Sequence, residues 1–413
     1  MRTRAAYPWP FFVAMAATLL LFLSFQALFP TLPLYIVSIG GSPADNGLAS
    51  WVFALAAVLT RPLAGALADR WGRKPVMVLG AIAFGGGPLL YALRSSMAWL
   101  LGARVVHGMG MALFTTSYQA FIADLLPPSR YGEGLGLANA ASVVTMVAAP
   151  LAGEWLAREF GFGPLFLTLG AVGGLGVVAA LILPGGGSKT ESSREPALGG
   201  CSGAETESTD LRSRAQPGLG RALGQPCVRI GSLGMALLGV PFGAFIVFLP
   251  LLADARNLGG TGWVFAAYAF VSALVQPAAG RASDRWGAGR AISAGLALAG
   301  LAVGGLAVGA SPCALIGLAA LFGMGYGATR AGLDACVQGG VEPDLRGSSA
   351  AVQYTAHDLV IGLGSWLLGL LAGSTDYGVM YATVGGVTLL GLAAIGLGTG
   401  WGEKNGGTSR GHV

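Results

Sequence analysis

Charged side chains are scarce in this sequence. Asp, Glu, Lys and Arg make up 10% of the 413 residues, whereas hydrophobic residues make up 54%. A soluble domain carries about 25% charged residues, so this chain lacks the polar cover that a water-facing surface requires. The net charge of +5 would suit a nucleic-acid partner, but the basic residues are placed as in a membrane protein, and we predict no nucleic-acid partner.

Histidine and cysteine are also scarce, with 3 and 4 residues respectively. The cysteines show no Cys-x-x-Cys spacing, and the histidines form neither a His-Glu-x-x-His motif nor a Ser-His-Asp pattern. A glycine-rich phosphate-binding loop is missing as well, so ATP is not the expected energy source. We therefore predict no metal, no cofactor and no enzymatic activity.

Apolar stretches long enough to cross about 30 Å of hydrocarbon recur along the chain. They predict an all-α polytopic membrane protein with twelve transmembrane helices, embedded in a lipid bilayer. The 69 glycines fit this prediction, because small residues let membrane helices approach closely. The stretches, numbered here as spans one to twelve, are 11–38, 47–68, 76–93, 98–123, 135–157, 164–183, 227–253, 261–282, 291–309, 312–338, 349–371 and 376–399.

The basic residues indicate the orientation of the spans. If the N-terminus is cytoplasmic, most of the 24 Lys and Arg residues lie in cytoplasmic segments, and only Arg94, Arg158 and Arg256 lie on the opposite side. This bias predicts a multi-pass protein of the cytoplasmic membrane with both termini in the cytoplasm. The first stretch is too long for a signal-peptide core, so we expect it to be a retained span.

The chain divides into two halves. Residues 184–226 are rich in Gly, Ser, Pro, Glu and Arg and carry too little apolar surface to fold alone. We predict an N-terminal six-helix bundle over 1–183, a flexible cytoplasmic linker over 184–226, a C-terminal six-helix bundle over 227–399 and a cytoplasmic tail over 400–413.

The two halves resemble each other at a constant offset of 215 residues. Asp69-Arg-Trp-Gly72 recurs as Asp284-Arg-Trp-Gly287, and Gly108-Met-Gly110 recurs as Gly323-Met-Gly325. Matches between glycines alone would carry little weight in a glycine-rich chain, but a block containing Asp, Arg and Trp indicates an internal duplication. Transporters are commonly built from such repeats, with the substrate between them.

The segment Gly65-Ala-Leu-Ala-Asp-Arg-Trp-Gly-Arg-Lys74 resembles the signature between spans two and three of the major facilitator superfamily. The resemblance implies two pseudo-symmetric six-helix bundles that transport a small solute by alternating access, and a functional monomer. The second copy, Gly280 to Gly287, departs from the signature after its last glycine, where Ala288 replaces the arginine found at Arg73.

The same resemblance implies a conformational gate. Asp69 would cap the N-terminus of span eleven, near Gly347, because a helix dipole favours an anion there. Arg73 would pair with Asp124, and these contacts would latch the halves in the outward-open state. Alternatively, the charges only fix the topology. The predicted gate residues are Gly65, Asp69, Arg70, Gly72, Arg73, Asp124, Gly280, Asp284 and Arg285.

Two weaker signatures concern spans four and five. Arg104-Val-Val-His-Gly-Met-Gly110 resembles the family's Arg-x-x-Gln-Gly-x-Gly pattern, with His107 in place of glutamine. The stretch from Gly136 to Gly153 resembles a glycine-rich signature associated with antiporters, although Thr145 and Ala149 replace glycines. The second signature is modest evidence for export.

Ionisable residues inside the spans are candidates for proton coupling, because each costs about 2.5–3.5 kcal/mol at a helix centre. Asp358 lies near the middle of span eleven, beside His357, and we expect it to take up and release the coupling proton. A static ion pair that locks helices together is the alternative. Arg330 and Asp334, four residues apart in span ten, can pair with each other. Arg104 needs a partner, which would be an acid in another helix, an anionic solute group or backbone carbonyls.

The solute cavity is the last predicted site. By family resemblance, spans one, four, seven and ten line it, which makes Gln26, His107 and Tyr118 candidate contacts, with Tyr354 on the face of span eleven that carries Asp358. Packing or lipid-facing roles are the alternative for these side chains. Span one carries no acid, which argues against specificity for cationic drugs.

Together these features predict a secondary active transporter, with proton-coupled efflux of a drug or small metabolite as the first hypothesis. A proton symporter or facilitator importing a sugar or organic acid is the alternative. A membrane-embedded enzyme or sensor is more remote, since the sequence shows neither clustered catalytic groups nor a folded soluble domain.

Overall fold

The structure is a computed structural model and describes residues 7–126, 131–184, 218–309, 311–342 and 345–399. Within these ranges the regular structure is helical, and eleven helical segments are long and apolar enough to cross a membrane. The helix Tyr131–Phe160 supplies the remaining span. The predicted all-α architecture with twelve spans is confirmed.

The helices match the predicted spans and extend past several of them at the ends. The N-terminal half contains span one (Trp9–Gln26 and Leu28–Ser38), span two (Pro43–Trp71), span three (Arg73–Gly85 and Gly87–Leu93), span four (Met97–Leu125), span five (Tyr131–Phe160) and span six (Phe162–Ile182). The C-terminal half contains span seven (Pro226–Ala255), span eight (Gly262–Trp286), span nine (Ala288–Gly305), span ten (Pro312–Gly340), span eleven (Arg346–Ser374) and span twelve (Tyr377–Thr399).

Part of the predicted linker is helical. Residues Gly218–Gly224 form a short helix, in which Ala222 is fully buried. Arg221 forms an exposed ion pair with Glu342 at the end of span ten, at 3.1 Å. The predicted linker over 184–226 is thus helical over Gly218–Gly224, where the short helix packs against spans seven and eleven. Residues 185–217, and the predicted tail over 400–413, lie outside the described residues.

The internal repeat extends to local geometry. Gly72 and Gly287 end spans two and eight with φ of 88° and 87°, a conformation that favours glycine. Ser96 and Ser311 each accept a backbone N–H bond at the start of spans four and ten, at 3.4 and 3.2 Å. These N-caps satisfy donors that the helix itself leaves unpaired.

Glycine permits the close packing within each half. A Cβ on Gly110 of span four would lie 2.6 Å from the carbonyl carbon of Ala83 in span three. Its repeat partner Gly325 would meet the carbonyl oxygen of Gly295 in span nine at 2.6 Å. No real side chain fits at such distances, so the abundance of glycine follows from helix packing.

The two halves meet on the side of the membrane opposite the chain termini, called here the far side. It holds the loops after spans one, three, five, seven, nine and eleven. A Cβ on Gly369 of span eleven would lie 2.6 Å from the carbonyl oxygen of Pro43 in span two. The rings of Phe29 in span one and Phe265 in span eight approach to 6.5 Å across the halves. On the termini side, by contrast, a Cβ on Gly65 of span two would meet no atom within 4 Å among the described residues.

Candidate transport site

An ion pair joins the two halves near the middle of the membrane. The guanidinium of Arg61 in span two donates to the carboxylate of Asp358 in span eleven. The side chains are 27% and 28% exposed, so the pair is largely but not fully shielded. Two opposite charges at this depth neutralise each other, which lowers the cost of placing either in the membrane.

Polar groups continue from this pair into span ten. His357 Nδ1 lies 3.6 Å from Asp358 Oδ1, and His357 Nε2 lies 3.4 Å from the hydroxyl of Tyr326. Arg330 donates to the same hydroxyl at 3.1 Å. The network therefore connects spans two, ten and eleven, with Asp358 as the carboxylate that contacts both Arg61 and His357.

Arg330 and Asp334 do not form the intrahelical ion pair expected from their spacing. Both side chains are half-buried, and among the described residues their charged groups do not approach within 4.0 Å. Arg330 is engaged instead by Tyr326, one turn earlier, and its guanidinium carbon lies 4.9 Å from the ring centre of Tyr354. Contact with aromatic rings stabilises a cation and competes with the weak intrahelical pair.

Arg104 and His107 lie inside the N-terminal half. Arg104 is 6% exposed and donates from Nε to the carbonyl oxygen of Ala49 in span two, at 3.1 Å. A backbone carbonyl is thus the partner of Arg104 among the described residues, and not an acid in another helix. His107 is fully buried, and its Nδ1 lies 2.7 Å from the hydroxyl of Tyr91 in span three. Both side chains hold spans of one half together and do not contact the Arg61–Asp358 pair.

The four residues predicted to line the cavity are not brought together. Gln26 is buried and accepts a hydrogen bond from the Thr145 hydroxyl of span five at 2.8 Å. Tyr118 is buried and stacks on Phe114, with ring centres 5.7 Å apart. With His107 also buried, only Tyr354 lies at the polar network. A helical period places residues on a common face, but neighbouring helices decide whether that face is covered.

Aromatic rings form a wall beside the network. Phe242 of span seven is half-buried, with its ring centre 4.9 Å from that of Tyr326 and 5.6 Å from that of His357. Tyr268 of span eight lies 5.7 Å from Tyr326. Such a wall with a few polar groups is typical of sites for small organic molecules.

Of the predicted gate contacts, the Arg73–Asp124 ion pair is present. Arg73 Nε lies 2.6 Å from Asp124 Oδ2, as the sequence predicted. Because both side chains are substantially exposed, this pair contributes at most about 1 kcal/mol.

The predicted capping contact of Asp69 is not found. Asp69 and Arg70 are exposed, and no hydrogen bond or ion pair of Asp69 is found among the described residues. Close packing at Gly65 is likewise not found, since an added Cβ there would meet no atom within 4 Å among the described residues. In the second copy Gly280 also has open space around it and Arg285 is exposed, whereas the side chain of Asp284 lies outside the described residues.

Glu154 of span five forms a contact between the halves that sequence reasoning missed. Its carboxylate accepts the backbone N–H groups of Thr261, at 3.1 Å, and Gly262 at the start of span eight. Arg158, four residues later, lies 3.0 Å from the same carboxylate. Glu154 is 9% exposed, so it is a buried anion at the positive end of a helix dipole.

The sequence contains signals for Glu154 and Arg61, the two site residues that were not predicted. Glu154 is an acid at the end of an apolar stretch with an arginine one turn later, and Arg61 is an arginine within span two. Either feature marks a residue that needs a partner inside the membrane. Among the described residues, no group of three or more His, Cys, Asp or Glu side chains is placed to hold a metal ion.

Comparison with known families decides the class of the protein. The family model for the Major Facilitator Superfamily matches residues 14–260 and 231–403. The chain belongs to the major facilitator superfamily. It is therefore a multi-pass transporter of small molecules and not an enzyme, and the resemblance inferred from the Gly65 to Lys74 signature is confirmed.

Curated relatives of this superfamily member include bacterial efflux proteins. It is 27% identical over 164 residues to the quinolone resistance protein NorA of Staphylococcus aureus, a match that covers 40% of this chain and 42% of that protein. The match thus spans less than half of the relative's length. It is 29% identical over 314 residues to the multi-drug resistance efflux pump PmrA homolog of Lactococcus lactis, covering 74% of each chain.

Solved transporters share the fold. A bacterial homolog of the human lysosomal transporter Spinster, in an inward-facing and unoccupied conformation, superposes with a TM-score of 0.73 at 18% identity, covering 97% of this chain and 96% of that one. The nucleoside transporter NupG gives a TM-score of 0.70 at 15% identity, covering 94% of this chain and 98% of that one. At these identities the likeness concerns the fold alone.

Proposed function

We propose that this transporter exports a small drug or metabolite across the cytoplasmic membrane in exchange for protons, as a monomer with both termini in the cytoplasm. The observation that carries the proposal is the Arg61–Asp358 ion pair, which bridges the two halves near mid-membrane. An ionisable residue at this depth is a functional candidate by default. The names of the relatives, an efflux pump homolog and a resistance protein, favour export over import.

Asp358 is the residue on which the coupling proton binds. In its charged form it attracts Arg61 and holds spans two and eleven together. Protonation removes that attraction and leaves the interface between the halves free to rearrange. A ligand shifts a conformational equilibrium only through its different affinity for the two states. The proton therefore binds Asp358 more tightly in the conformation in which Arg61 has moved away from the carboxylate. His357 and Arg330 belong to the same network and tune its charge, and Asp334 is a second carboxylate near it.

The solute binds between the halves. Phe242 and Tyr354, both half-buried, offer aromatic surface next to the charged network. Gln26, His107 and Tyr118 are covered in this conformation, so a contact between them and the solute would require a rearrangement of the N-terminal half.

Two latches alternate during the cycle. On the far side, here taken as extracellular, Glu154 caps span eight and keeps the halves closed. On the cytoplasmic side, Asp69 is free to cap span eleven once the halves approach there, and Arg70, Gly72 and Arg73 shape this latch. The conformation is therefore interpreted as inward-facing, with the far-side latch engaged and the Asp69 contact on the cytoplasmic side released. The Arg73–Asp124 pair is formed in this conformation, but it lies within the N-terminal half and does not join the two halves.

Transport by inverted membrane vesicles tests the direction and the coupling. With the vesicle interior acidified, export by antiport predicts accumulation of a fluorescent quinolone or a neutral aromatic dye inside the vesicles, because protons leave as solute enters. A protonophore is expected to reduce accumulation to the level of vesicles without the protein. Accumulation only when the exterior is acidified would establish symport, and uptake indifferent to either gradient would establish a facilitator. Either result would reject the proposal.

A further inference from the structure

A groove lies between the termini-side ends of spans eight, nine and ten. It has a volume of about 490 Å³ and reaches Ala328 of span ten at its base, between Ala282 of span eight and Ala291 and Ala294 of span nine. A second groove of about 490 Å³ runs along span eight and shares Ala282 with the first. The two neighbouring grooves, both lined by Ala279 and Ala282, are together called here the alanine groove.

Comparison of the two repeats shows that small side chains create the groove in the second half. At the offset of 215 residues, Ala282, Ala291, Ala294 and Ala328 correspond to Leu67, Val76, Leu79 and Leu113. In the N-terminal half Val76 and Leu113 are buried in one cluster, and Leu67 packs against it. Leu79 is exposed, so three of the four aliphatic side chains fill this volume in the first half. Their replacement by methyl groups leaves that volume empty in the second half.

Basic residues border the alanine groove on the termini side. Arg281 and Arg285 line its span-eight portion and Arg290 its span-nine portion, and all three are exposed. Arg285 repeats Arg70, but Arg281 and Arg290 stand where the first half has Ala66 and Pro75. The stretch 280–290 has three basic residues, as many as the corresponding stretch 65–75, so no charge is added in total. The second half instead places two of these charges at new positions, beside a groove that has lost aliphatic bulk.

We propose that the alanine groove binds an anionic phospholipid from the membrane leaflet on the termini side. The arginines would hold the headgroup phosphate, for which guanidinium geometry is well suited, and an acyl chain would lie against the alanines. Basic pockets between transmembrane helices are a recognised way to bind anionic headgroups. The combination of an empty apolar channel with positive charge at its mouth complements a molecule with a hydrocarbon chain and an anionic end.

Lipid retention by the purified full-length protein tests this site. Delipidated protein in detergent is incubated with equal amounts of phosphatidylglycerol and phosphatidylcholine that carry the same acyl chains, and bound lipid is counted by native mass spectrometry. The wild type is expected to retain phosphatidylglycerol at least several-fold over phosphatidylcholine. Arg281→Gln with Arg290→Gln is expected to remove this preference, and Ala294→Leu with Ala328→Leu, which restore the residues of the first half, is expected to reduce retention of both lipids.

A matched control removes the same charge elsewhere. Arg94→Gln with Arg229→Gln changes two exposed arginines outside the groove and is expected to keep the wild-type preference. Equal retention of both lipids by the wild type, or an unchanged preference in the Arg281 and Arg290 variant, would overturn the proposal. If the control loses the preference as well, net charge alone accounts for it and the groove is not the site. The arginine variants alter only exposed side chains, so the test does not depend on the leucine variant folding.

Discussion

Replacing Asp358 with Asn is expected to abolish proton-driven accumulation of solute while leaving solute-for-solute exchange in place. Asparagine has nearly the shape of the protonated carboxylic acid but cannot release a proton. The side chain therefore no longer alternates between a protonated and a charged form, and solute movement is no longer coupled to proton movement. The carboxylate also holds Arg61 by a charge-assisted contact, a kind of bond that contributes about 1.5–3 kcal/mol. Proteoliposomes with a pH gradient measure accumulation, and preloaded proteoliposomes without a gradient measure exchange.

The controls for this variant separate the site from its surroundings. Asp254→Asn makes the same chemical change at an exposed acid on the far-side end of span seven, and accumulation is expected to remain. Asp334→Asn tests the second carboxylate near the network. If Asp334→Asn abolishes accumulation and Asp358→Asn does not, the coupling proton is carried by Asp334 and the assignment to Asp358 is wrong.

Replacing Glu154 with Gln is expected to open the far side of the transporter. The buried carboxylate accepts two backbone N–H bonds at the start of span eight, and glutamine keeps the shape but loses the charge that strengthens them. Since a hydrogen bond to a charged group contributes about 1.5–3 kcal/mol and each 1.4 kcal/mol is a factor of about ten, the open population should rise by roughly tenfold or more. The measurement is labelling of Phe29→Cys, in a background without the native cysteines, by a membrane-impermeant thiol reagent added to intact cells.

Glu159 supplies the matched control for the far-side latch. It lies on the same helix, five residues beyond Glu154, and is exposed, so Glu159→Gln removes an equal charge without touching span eight. Labelling at position 29 is expected to stay at the starting rate in this variant. An equal increase in both variants would mean that surface charge, and not the contact with span eight, controls access.

Much of the architecture follows from the sequence because a bilayer leaves a chain few options. Twenty-residue apolar stretches must become helices, and the repeat of the Asp69 to Gly72 block reveals the two halves. The Arg73–Asp124 pair was also predictable, since Arg73 belongs to the Gly65 to Lys74 signature and begins span three on the side where Asp124 ends span four.

The contents of the site were harder to predict, because they depend on which faces of different helices meet. Arg61 and Asp358 are separated by 297 residues, and no periodicity within one helix relates them. Gln26 and Tyr118 were expected to contact the solute, but both are buried within the N-terminal half. Gln26 is bonded to Thr145 of span five and Tyr118 is stacked on Phe114. Arg330 sits at the right spacing for Asp334, but it donates to Tyr326 one turn earlier and lies over the ring of Tyr354 in span eleven. These contacts compete with a pair that is weak on its own.

The most direct test of proton-coupled export through the Arg61–Asp358 pair is to record proton flux and solute flux together. Proteoliposomes containing a pH-sensitive dye are given a solute gradient, and both fluxes are followed in the wild type and in Asp358→Asn. The account predicts that solute moving in one direction drives protons in the other in the wild type, and that proton movement disappears in the variant while solute still exchanges. Protons moving in the same direction as solute, or proton flux that persists in Asp358→Asn, would contradict it.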